Sequence, residues 1–216
     1  MQLVRLVENN DWITLSVFGC ILALMLAFLS LNREASIKEF LLQKIEDAPN
    51  VFLTWVVISA VFCVQLTLLF SQYLPAVPKV VENVSIMGFS LNKFGYLFLI
   101  VSIFYLFKTV FTFFFYVSIN QSKNFNVLIF NSSKIFFVFS MILIILVFLN
   151  YYINIETRNF LPIILVLSAF LFVFKIFFYL FNKNNTLPNQ WYYKILYICT
   201  LQIAPVFAMW RLVFFN

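Results

Sequence analysis

The chain has 216 residues, of which 64% are hydrophobic, 21% aromatic and only 10% charged, with a net charge of +6. Soluble domains carry about 25% charged residues, and a soluble fold of this length has no way to hide so much apolar surface. An ordinary soluble domain is excluded, and so is a nucleic-acid partner, because the basic residues are scattered singly along the chain.

A bilayer-spanning helix needs ~20 apolar residues. Residues 1–216 therefore read as a single polytopic domain: an all-α membrane protein, a bundle of about six transmembrane helices with one amphipathic interfacial helix.

The first span is expected at 12–31. Acidic Glu8 and Asp11 precede it and no small-residue cleavage pattern follows, so it reads as a retained helix and not a signal peptide. The segment 36–47 is of another kind. Ile37, Phe40, Leu41 and Ile45 share a helical face, Ser36 and Glu39 match a capping box, and Pro49 ends it. Two placements fit: along the membrane surface, or packed on the ends of the bundle. The second span is expected at 51–73, followed by a long connection with Pro75 and Pro78. The third is expected at 94–118, the fourth at 134–152, the fifth at 160–181 and the last at 191–214. The stretch between the third and fourth, with its asparagines and serines, reads as a loop. Pro162 falls in a first helical turn, where proline is tolerated. Trp12, Trp191 and Trp210 lie at span ends, as interfacial anchors do.

Lysine and arginine set the orientation. With six spans, one side receives Arg5, Lys79, Lys93, Arg158 and Arg211. The other receives Arg33, Lys38, Lys44, Lys123, Lys134, Lys183 and Lys194, with Lys108 and Lys175 nearer to it. This second side is expected to be cytoplasmic, which places both termini in the periplasm of a bacterial inner membrane.

The residues that could carry chemistry are few. There is no histidine, and every aspartate and glutamate falls outside the predicted spans. General acid–base work and metal binding usually draw on those types, so no enzyme, catalytic residue, metal or cofactor is expected. Cys20, Cys63 and Cys199 lie in apolar segments without a C-x-x-C spacing and read as small buried residues. Only Gly19 sits well inside a predicted helix, which argues against a broken-helix transporter.

Lys108 and Lys175 stand out. An ammonium at the bilayer centre costs ~2.5 to 3.5 kcal/mol. Both lie about 10 to 15 Å from the expected cytoplasmic ends of their helices, within partial reach of a snorkelling stem. The alternative is one shared site for an anion or lipid. Polar neighbours recur at helical spacing: Tyr105 and Thr112 beside Lys108, Ser168 and Tyr179 beside Lys175. In the last span, Thr200, Gln202 and Pro205 form a polar cluster. Pro205 frees the carbonyl of Leu201, and the simplest reading is a kinked helix held by polar contacts.

That last segment, YKILYICTLQIAPVFAMWRLV, resembles the C-terminal signature of a domain-of-unknown-function family of polytopic inner-membrane proteins from Bacteroidota, roughly Y-L-C-T-L-E-I-x-P. Tyr197, Cys199, Thr200, Leu201, Ile203 and Pro205 match, while Gln202 stands where that family tends to have glutamate. The resemblance implies a location and no activity. Two functions remain open: a non-enzymatic scaffold or accessory subunit of an envelope complex, with membrane lipids and a protein as partners, or a small transporter or channel for an anionic or lipid-like solute. The sequence leaves the oligomeric state open.

Overall fold

The computed structural model describes residues 2–31, 37–73, 85–86, 89–90, 93–152, 157–181, 186–188 and 190–214. In chain order these are α1 (Gln2–Leu26), running into a π turn at Ala27–Leu31, and α2 (Ile37–Leu42), followed by a 3-10 turn at Ile45–Asp47. Then come α3 (Val51–Ser71), a hairpin of β1 (Ser85–Ile86) and β2 (Phe89–Ser90), α4 (Lys93–Ser118), α5 (Ser122–Tyr152) and α6 (Thr157–Phe181). The last run is α7 (Trp191–Leu196), a π segment at Tyr197–Ile203 and α8 (Ala204–Phe214).

Five of these helices are long and apolar enough to cross a membrane: Asp11–Leu29, Val51–Ser71, Lys93–Ser118, Ser122–Tyr152 and Leu161–Phe181. Helices suit that solvent because each satisfies its own backbone polar groups. The expected count of six is therefore corrected to five. Helical turns do run through 191–214, but the π segment divides them, and no single α-helix there reaches spanning length. Pro205 supplies the cause. It has no N–H for the carbonyl of Leu201, and the preceding turn widens, so that Ala204 N–H bonds Cys199 O five residues back.

The bundle is built on α3 and α5, which share the most extensive interface. Half of the α3 span and 56% of the α5 span are buried, against 17–22% for the spans of α1, α4 and α6. The outer helices thus turn most of their apolar surface to lipid. On α3 the residues Thr54, Ile58, Val61, Gln65 and Leu68 recur at helical spacing and are all buried. Opposite them lie Phe136, Leu143 and Val147 of α5, with the Phe62 and Phe136 rings 4.7 Å apart. At the far end Tyr73 donates to Asn150 Oδ1 (2.6 Å), Asn150 Nδ2 donates to Gln72 Oε1 (2.9 Å), and Tyr151 donates to the Leu68 carbonyl (3.1 Å). These bonds lock α3 and α5 in parallel. The β1–β2 hairpin pairs antiparallel, Ser85 with Ser90 and Ile86 with Phe89.

Helix α5 begins twelve residues before the expected 134, at Ser122. Its connection to α4 is one tight turn. Asn120 takes φ 55°, a left-handed conformation that asparagine tolerates. Gln121 N–H bonds Tyr116 O and Asn120 N–H bonds Val117 O, the paired bonds of a Schellman stop. The polar run Asn131-Ser132-Ser133-Lys134, expected to close a loop, lies instead on the buried part of α5. Ser132, Ser133 and Lys134 find partners inside the protein, while Asn131 Nδ2 is buried without one among the described residues. Ser133 donates back to Ile129 O, and Lys134 Nζ donates to the carbonyls of Leu41 (2.9 Å) and Gln43 (2.5 Å).

Those two carbonyls end α2, where helical C=O groups lack partners of their own. Lys134 thus holds α2 against the bundle, and Phe40 fills the gap between Phe28 and Phe137, with ring centroids 5.9 and 5.3 Å away. The expected single helix over 36–47 is two short pieces instead, and of its apolar face only Phe40 is buried. Ser36, the expected cap, lies outside the described residues. Of the three cysteines, Cys20 and Cys63 are buried as expected, whereas Cys199 lies on an exposed face.

Candidate anion site between α4, α6 and the last helical run

Lys108 and Thr112 are four residues apart on α4 and so share a face. The Thr112 hydroxyl donates to the Lys108 carbonyl (2.7 Å), which turns that polar group back onto its own helix. The Lys108 side chain reaches across to the last run, where Nζ donates to Gln202 Oε1 at 2.7 Å. The other end of the carboxamide is used as well: Gln202 Nε2 donates to the Tyr197 hydroxyl oxygen at 2.7 Å.

The π segment makes this last bond possible. Residues five apart in an α-helix are about 1.4 turns apart, on different faces. A π turn closes its ring at i→i+5, which brings Tyr197 and Gln202 to the same side. Both are fully buried there.

Lys175 comes from α6 and is only 6% exposed. Its ammonium lies 4.4 Å from the centroid of the Phe136 ring and 5.8 Å from that of Tyr179. Aromatic faces attract a cation, most strongly where water is excluded. Tyr179 is positioned by a 2.5 Å hydrogen bond with Ser132 of α5. Lys108 and Lys175 lie within direct interaction range of each other.

Both lysines line a cavity of about 30 Å³, together with Tyr105, Thr112, Tyr197 and Gln202. Trp55, Phe136 and Ser132 complete much of its wall, and among the described residues no acidic side chain contributes to it.

The five residues named from sequence are therefore adjacent. Lys108, Lys175, Tyr105 and Thr112 face one cavity, and Tyr179 lies under Lys175. Their roles differ. The Tyr105 hydroxyl bonds Ser59 of α3 (2.7 Å) and only its ring faces the site. Ser168 is not in the site: it donates to Leu165 O on its own helix. The polar cluster of the last run is split. Gln202 points inward, while Thr200 is exposed and bonds Leu196 O. Sequence reasoning missed Tyr197, Ser132, Phe136 and Trp55. The signal for Tyr197 was present in the Pro205 position, which widens the turn before it. The signal for Ser132 was a polar run flanked by uninterrupted apolar residues.

A bundle of long apolar helices with buried polar side chains directed at one another defines a multi-pass α-helical membrane protein. The family model for a domain of unknown function, DUF4271, matches residues 12–213, and the chain belongs to that family. No curated protein and no solved structure matches it.

Among the described residues, Gln202 Oε1 accepts a hydrogen bond from the Lys108 ammonium. Hydrogen bonds to charged groups contribute about 1.5–3 kcal/mol. Gln202→Leu should therefore lower stability by about that amount, more than a neutral contact would cost. Gln202→Glu, which keeps an acceptor in place, should lose less. Unfolding of the purified variants in mild detergent gives the comparison, and a leucine variant as stable as the parent would rule out this role.

Proposed function

We propose that this chain is a non-enzymatic protein of a bacterial inner membrane that binds an anionic group between α4, α6 and the last helical run. One observation carries the reading: Lys108 and Lys175 line one cavity to which, among the described residues, no carboxylate contributes. Two like charges in a low-dielectric interior repel, and each also loses hydration. Gln202 and the Phe136 ring offset part of that cost. An anion in the cavity would offset the remainder, because it would face two cations at once. This favours the second of the two functions raised by the sequence, handling of an anionic or lipid-like solute, with membrane lipids as the source. The scaffold or accessory-subunit reading draws on the exposed phenylalanines of α4 and α6, but lipid satisfies those faces equally well.

The orientation proposed is the one set by the basic connections. The end of the bundle with the α4–α5 turn, α2 and the start of α7 faces the cytoplasm, and the N-terminus is periplasmic; the C-terminus reaches the periplasm only by the interrupted helical run 191–214 crossing the bilayer as well. Single cysteines at Asn10 and Asn184, in a chain lacking the three native ones, should then react oppositely with an impermeant thiol reagent on intact cells. Reaction at Asn184 from outside would invert the orientation.

The binding reading is tested by native mass spectrometry. Protein released from anionic lipid should carry bound anion in the parent form and lose most of it in Lys108→Leu and Lys175→Leu. Equal retention in all three would leave the two lysines as structural residues only.

A further inference from the structure

The small cationic cavity has a large apolar neighbour. A crevice of about 700 Å³ lies against it, walled by Val51 and Phe52 of α3 and by Val110 and Phe113 of α4. Trp55, Thr109, Phe125 and Ile129 border both spaces. The crevice extends from these shared residues towards Ile45 and Asn126, at the end of the bundle that carries the α4–α5 turn. Its lining is almost wholly apolar, and its size is in the range of pockets that enclose small organic ligands.

We infer that the occupant is a single-chain anionic amphiphile, a long-chain carboxylate, with its head group between Lys108 and Lys175 and its alkyl chain in the crevice. The inference rests on the anion-binding reading above and specifies its ligand. The two spaces divide the ligand chemistry between them. A hydrated inorganic anion gains nothing from walls of Phe52, Val110 and Phe113. A neutral lipid chain gains nothing from two ammonium groups. A molecule with both parts gains from each.

Size selects the head group. A water position needs at least about 10–15 Å³ of such volume, so the cationic cavity of about 30 Å³ holds about two oxygen-sized positions. A carboxylate has two oxygens. Each carboxylate oxygen would take one ammonium as a charge-assisted donor. Lys108 can keep its bond to Gln202 while doing so, because an ammonium has three donors.

The experiment uses the full-length protein in detergent and measures binding of four probes: palmitate, octanoate, methyl palmitate and inorganic phosphate. Palmitate should bind, octanoate at least about tenfold more weakly for lack of buried methylenes at ~0.8 kcal/mol each, and methyl palmitate and phosphate hardly at all. Lys175→Leu should weaken palmitate about tenfold or more. Val110→Trp, which fills the crevice away from the lysines, should weaken palmitate and leave octanoate less affected. Lysine-dependent binding of phosphate in place of palmitate would overturn the carboxylate inference and keep the anion site. Methyl palmitate binding as tightly as palmitate would show ordinary association of lipid with an apolar surface and overturn it too. No lysine-dependent binding of any anion would remove both. The probe series needs no substitution, so its result stands even if a variant fails to fold.

Discussion

Two ammonium groups enclosed in a membrane bundle have to be given partners, and the packing around Lys108 and Lys175 supplies them from three separate elements. Gln202 of the last run accepts from Lys108, and Phe136 of α5 and Tyr179 of α6 surround Lys175. Each partner is itself fixed. Gln202 bonds Tyr197, and Tyr179 bonds Ser132. The cations are therefore not local decorations on their helices. They determine which faces of α4, α6 and the last run turn inward, in a solvent where apolar contact alone does little to orient one helix against another.

The π segment belongs to the same constraint. A regular α-helix over 191–214 would carry Tyr197 and Gln202 on different faces, and Gln202 could not bond Lys108 and Tyr197 at once. The missing N–H of Pro205 removes the obstacle to a wider turn, and the hydrogen bonds of Gln202 give that turn its use. Loss of one backbone bond in the chain is thereby coupled to formation of the site. A third lysine follows the same logic at a different place: Lys134 is partnered by the carbonyl ends of α2, and in turn it holds that short helix and its Phe40 plug in position.

Much of this was legible in the sequence, for reasons that can be named. The membrane class follows from composition, and the cores of five spans follow from apolar runs that no soluble fold could bury. Lys108, Thr112, Lys175 and Tyr179 could be picked out because a charge at membrane depth is costly and its neighbours recur at helical spacing. The start of α5 was misread because hydropathy cannot distinguish polar residues in water from polar residues partnered inside a protein, and Ser132, Ser133 and Lys134 are of the second kind. The sixth span was misread because a wide turn has no compositional mark apart from Pro205. The amphipathic face of 37–47 was real in pattern, yet tertiary contacts of Phe40 and Lys134 broke it into two pieces. In a membrane, exposed Ile37 and Leu41 cost nothing, so the apolar face had no need to be buried as a unit.

The account depends most on α4 and α6 presenting their lysines to the same cavity. The direct measurement is a proximity test in native membranes. In a chain lacking Cys20, Cys63 and Cys199, cysteines replace Lys108 and Lys175 together, with a second pair at Tyr73 and Asn150 as the reference. The account predicts that a short bis-maleimide or an oxidant joins the 108–175 pair as readily as the reference pair. A reference pair that joins while the 108–175 pair stays apart would contradict it, and the two lysines would have to belong to separate environments.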